Sequence, residues 1–128
     1  MKIPKQKLTQ IARKYGLNLI VLFGSYAARR LLKQESDIDI AIRTTRRLTA
    51  EEEIALISQL SLLFPAEIDI TFLNEADSVL VYEIARDGIP LYEQNPDSFI
   101  EFQLYATKVS EDEQRYRELA KEYVLERK

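Results

Sequence analysis

Three aspartates and a Gly-Ser pair are the residues whose types and spacing suggest chemistry. Asp37 and Asp39 bracket Ile38 inside the apolar run DIDIAI, and Asp69 repeats the pattern in EIDITF. Residues two apart on a strand share a face, so Asp37 and Asp39 point the same way while Ile38 and Ile40 turn into the core. Strands are depleted in aspartate, and two adjacent carboxylates repel unless a cation lies between them. With Asp69 on a neighbouring strand, the set is an acidic triad suited to two Mg²⁺ ions about 4 Å apart, an arrangement that serves phosphoryl and nucleotidyl transfer. Gly24-Ser25 ends another apolar run. A glycine at a strand-to-helix junction lets the backbone approach a ligand, and a helix N-terminus offers N–H groups to phosphate. Gly24 and Ser25 are therefore the candidate grip on a nucleotide's phosphates.

Composition narrows the chemistry further. The sequence contains no cysteine and no histidine. Disulfides, thiol nucleophiles, Cys/His zinc sites and His-based triads are thereby excluded. A metal held by carboxylates alone should be hard, Mg²⁺ or Mn²⁺. The 128 residues, 46% hydrophobic and 30% charged, suit a soluble α/β domain. No apolar run approaches the roughly 20 residues of a membrane span, and the polar start MKIPKQKLTQ does not resemble a secretory signal. The expected location is cytoplasmic, with no membrane association. A net charge of −3 argues against general nucleic-acid binding.

Elements must position these residues. Leu8, Ile11, Ala12 and Tyr15 recur at helical spacing, which predicts a helix over Lys5 to Tyr15 that stops at Gly16. Leu19 to Phe23 reads as a buried strand, Tyr26 to Lys33 as a helix, and Asp37 to Ile42 as a strand. Thr49 and Glu52 have capping-box spacing before a helix that ends at Pro65. Glu67 to Leu73 is a strand, and Asn74 is the expected cap of a helix reaching Asp87, with Gly88 as its stop. Ile89 to Tyr92 is an edge strand because of Pro90. Asn95-Pro96 opens a long last helix, with a break expected near Ser110. For Gly24-Ser25 to meet Asp37 and Asp39, their strands must run antiparallel. Asp69 requires its strand to run parallel to that of Asp39, with the helix after Thr49 as the crossover. The expected sheet is mixed, flanked by helices.

The stretch GSYAARRLLKQESDID resembles the G-S…D-x-D signature of the nucleotidyltransferase superfamily that includes DNA polymerase β. The final S-D-I-D, the later EIDITFL and IARDGIPLYE resemble its minimal branch, the MNT proteins. The resemblance spans Leu19 to Tyr92. It implies a polymerase β-like fold over 1–95. Residues 96–128 read, from their own apolar groups, as a helical segment whose earlier part packs on the domain and whose later part, with Tyr116, Leu119, Tyr123 and Val124, packs on a partner. The resemblance also implies that Asp37, Asp39 and Asp69 hold two Mg²⁺ ions, that Asp69 helps activate the attacking hydroxyl, and that Gly24 and Ser25 hold the nucleotide. Many MNT proteins are antitoxins encoded beside a HEPN-domain RNase toxin and transfer AMP from ATP to a tyrosine of it. That is the expected function and partner. Neutralisation by direct binding, and transfer to a small molecule or RNA, are the alternatives. The segment between Ser25 and Asp37 is one residue longer than the usual antitoxin pattern and lacks its second glycine, so Arg29 receives no role. Arg43, Arg46 and Arg47 form a local basic strip, read as a solvated loop or as a contact to triphosphate or RNA.

Overall fold

The computed structural model describes residues 2–24 and 38–126. Ser25, Asp37, Arg29 and the helix expected over Tyr26 to Lys33 lie outside them. Among the described residues the chain forms α1 (Lys5–Tyr15), β1 (Leu17–Phe23), β2 (Ile38–Thr44), α2 (Ala50–Ser61), β3 (Ile68–Phe72), α3 (Ser78–Asp87), β4 (Ile89–Glu93) and α4 (Ser98–Glu126). The strands make one sheet in the order β3-β2-β1-β4. β1 is antiparallel to both β2 and β4, and β2 is parallel to β3. This is the expected mixed sheet.

Two apolar layers cover the sheet. Ile20, Leu22, Ile38, Ile40 and Ile42 pack against Leu8, Ala12 and Tyr15 of α1 and Leu56 and Leu60 of α2. On the opposite face Leu19, Val21 and Ala41 meet Val81, Ile84 and Ala85 of α3 and Phe102 and Ala106 of α4. β1 is apolar on both sides because helices cover both sides of it. In β2 the second face changes along the strand. Position 41 lies under α3 and α4 and is a fully buried alanine, whereas position 39 is only half-buried and carries a carboxylate.

Local signals set most boundaries. Gly16 closes α1 in the left-handed conformation, φ 68°, its N–H meeting the carbonyls of Ala12 and Arg13. Thr49 and Glu52 form the capping box, each side chain accepting the other's backbone N–H at 3.1 Å. Arg46 holds the same Glu52 carboxylate in a two-pronged contact at 2.7 and 3.2 Å. That fork, together with the Thr49 N–H, pulls the Glu52 pKa down to about 2.

Three expectations change, and one is refined. Asp77, not Asn74, caps α3, accepting from Leu80 N–H at 3.0 Å. Asn74 instead extends the β2–β3 ladder: its Oδ1 accepts from Thr44 N–H at 2.9 Å and its Nδ2 donates to Thr44 O at 3.1 Å. Gly88 does stop α3, but in an extended conformation. Its need is space, since a side chain there would strike Val21 and the carbonyl of Ile84. α4 begins at Ser98 rather than at Asn95-Pro96, and it passes Ser110 without a break.

Candidate active site

β1 delivers Gly24 directly after Phe23, and Phe23 is the register partner of Asp39. Gly24 has φ 76°, which side-chain-bearing residues rarely adopt. A Cβ on Gly24 would run into the Asp39 carboxylate and lie 3.0 Å from its Cγ. Glycine is thus required here twice over, once by backbone conformation and once by the carboxylate against it.

Asp39 is in turn the register partner of Asp69 across the parallel β2–β3 pair. Register partners on adjacent strands, about 4.8 Å apart, carry their side chains on the same face. Ile38 and Ile40, on either side of Asp39, are fully buried against α1 and α2. Alternation therefore turns Asp39 and Asp69 to the other face, beyond the cover of α3 and α4. Asp39 is half-buried and Asp69 exposed. Ile68 and Ile70 pack towards the first face, as expected.

The arrangement brings together Gly24, Asp39 and Asp69. Among the described residues no three acidic side chains are grouped as a metal cluster; Asp37 is outside them. The donors that are present fit a divalent cation. They are carboxylates on adjacent strands, of the hard oxygen type that Mg²⁺ prefers, and they sit against a backbone with no side chain to occupy the space. Phe23, which sequence reasoning did not single out, lines the same corner, half-buried against the α3–α4 layer. Its only signal was its place just before Gly24.

The basic strip goes elsewhere. Five residues of strand separate Asp39 from Thr44, about 16 Å at 3.3 Å per residue. Arg46 and Arg47 lie past that far end, lining a cleft of about 580 Å³ with Thr44, Thr45, Asn74 and Glu75. Arg46 is engaged by Glu52, and the Arg43 guanidinium stacks over the Phe102 ring at 6.0 Å. The strip thus lies towards the end of β2 remote from Asp39.

The polymerase β nucleotidyltransferase family matches residues 6–97 of the chain. The chain belongs to this family. It is a nucleotidyltransferase by family, and its four-stranded mixed sheet is the polymerase β-like fold. No curated protein matches the chain. Among solved structures, a toxin–antitoxin complex with AMP-PNP contains a chain 25% identical, with a TM-score of 0.70 over 96% of this chain and 99% of that one. A tri-AMPylated HEPN toxin from Shewanella oneidensis in complex with MNT antitoxin gives 24% identity and a TM-score of 0.64, over 94% and 95% of the two chains. The toxin–antitoxin pair MntA–HepT gives 24% and 0.64, over 94% and 96%.

Proposed function

We propose that this nucleotidyltransferase is an antitoxin that transfers AMP from ATP to a tyrosine hydroxyl of a HEPN-type RNase toxin and so silences it. The observation that carries the proposal is the register of Asp39 with Asp69, flush against Gly24, in a nucleotidyltransferase domain. The fold's likeness to chains in complexes containing AMP-PNP and an AMPylated HEPN toxin supports the choice of nucleotide and acceptor. In this reading 1–95 is the transferase domain and 96–128 its helical extension. The reaction takes place in the cytoplasm. Among the described residues no helix is long and apolar enough to cross a membrane.

Asp37, Asp39 and Asp69 would hold the Mg²⁺ ions, with Mn²⁺ an acceptable substitute. The metal, when bound, lowers the pKa of the attacking hydroxyl and neutralises charge on the triphosphate. Gly24 and Ser25 hold the phosphates in line with the acceptor. The tyrosine oxygen forms the new bond to the α-phosphorus, the α–β bridging bond breaks, and pyrophosphate leaves. Asp69, more exposed than Asp39, receives the hydroxyl proton. With labelled ATP, Mg²⁺ and its cognate HEPN-type toxin, label should move to that protein. Label transfer that persists in the double variant Asp37→Ala/Asp39→Ala would overturn the mechanism.

Neutralisation by contact alone is favoured by one observation, the exposed apolar residues of α4. The same double variant decides between the two readings. Cells protected by it from the toxin would establish contact as sufficient. Small-molecule and RNA acceptors have weaker support, because the basic strip lies at the far end of β2 and the chain is acidic overall.

A further inference from the structure

α4 is 29 residues long, about 43 Å at 1.5 Å per residue, and only its first half is used by the domain. Phe102 and Ala106 are buried in the second layer, Val109 is half-buried, and Glu113 meets the hydroxyl of Ser78 at the start of α3. These positions step by four, three and four. The same alternation continues through Tyr116, Ala120 and Tyr123, so one stripe runs straight on from the domain. From 114 to 126 every residue is exposed. Tyr116 is 75% exposed, Leu119 57% and Val124 58%, all on or beside the stripe.

Thirteen residues make fewer than two heptads. A self-supporting helix pair needs three to four, so two such tails pairing only with each other make too short a seam. The stripe instead suits insertion of one helix face into a groove. Its flanks differ in charge. At 100° per residue Asp112, Glu122 and Glu126 fall on one side, with Arg115 among them, and Arg117 and Lys121 on the other.

We infer that the distal half of α4, centred on Tyr116 and Leu119, docks into an apolar groove of the HEPN-type toxin that is basic along one rim and acidic along the other. This rests on the function proposed above and separates its two parts: the α4 tail holds the toxin, and the aspartate corner modifies it.

The test uses the full-length chain and its cognate HEPN-type toxin, titrated by calorimetry without nucleotide. Tyr116→Ser/Leu119→Ser should lower affinity on the order of 100-fold without moving the melting temperature. Transfer of AMP should show the loss in KM, with kcat recovered at saturating toxin. The control Ile54→Ser/Leu62→Ser, which removes equally exposed apolar groups from the α2 region, should bind as the unaltered chain does. Wild-type affinity in the tail variant would overturn the inference and leave AMP transfer standing. So would sedimentation showing a dimer of this chain that the tail substitutions abolish. No binding by the unaltered chain would overturn the proposed function along with it.

Discussion

Replacing Gly24 by alanine separates a backbone effect from a site effect, because Gly16 supplies a matched control. Both glycines have positive φ, 76° and 68°. Alanine in that region costs about 1–2 kcal/mol, which for a chain of this size lowers the melting temperature by roughly 3–5 °C per kcal/mol. The surroundings differ. A Cβ at Gly16 meets Thr45 Oγ1 at 3.1 Å and the Arg46 side chain at 3.4 Å, groups remote from the aspartates. A Cβ at Gly24 collides with the Asp39 carboxylate, which must swing away. A displacement on the order of 1 Å at a reacting centre costs about 100-fold in rate. The two variants should therefore lose similar stability, read by thermal unfolding. In an assay of AMP transfer from labelled ATP, Gly24→Ala should fall about 100-fold while Gly16→Ala stays near the unaltered rate. Equal activities in the two variants would refute the reasoning, because the Gly24–Asp39 contact would then have no bearing on chemistry.

Other outcomes follow from the helix ends and ion pairs. Asp77→Ala, which removes the α3 cap, should cost about 1 kcal/mol in urea unfolding, and Asp77→Asn much less. The Glu52 pKa is depressed in the folded chain, from an ordinary 4.5 to about 2, chiefly by Arg46. A depressed carboxylate stabilises above its unfolded pKa and loses that contribution as pH falls through the folded one. Arg46→Ala should therefore be less stable than the unaltered chain at neutral pH, with the gap closing between about pH 4.5 and 2 in denaturant titrations. Because Arg46 is exposed and Glu52 only half-buried, the gap should also shrink in high salt.

The sheet was legible in the sequence for a specific reason. If Gly24 and the Asp39 carboxylate were to meet, β1 and β2 had to be antiparallel, and if Asp69 was to join them, β3 had to be parallel to β2. Chemistry and apolar alternation pointed to the same topology. The helix ends were read less well. Asn74 and Asp77 are both good cap residues, and sequence alone does not show that Thr44 claims Asn74 from across the sheet. Gly88 is the stop that the sequence suggests, but the reason for a glycine there, the close approach of α3 to Val21, is a tertiary fact. The basic strip reads from sequence as a solvated loop or as a triphosphate contact, since Arg43 follows Asp39 closely. A strand is extended, so a few residues carried the arginines to its opposite end. Ser110 was a plausible break, but α4 continues as one helix while its packed half gives way to an exposed one.

The most direct test of the account is the rate of AMP transfer by Asp39→Asn and Asp69→Asn, each nearly isosteric with the native side chain. Loss of an outer partner of a metal ligand costs 10–100-fold, and loss of a ligand should cost more. Both variants should therefore fall by at least about 100-fold while melting within a few degrees of the unaltered chain. A folded Asp69→Asn chain that transfers AMP at close to the native rate would contradict the claim that the Asp39–Asp69 register is the catalytic core.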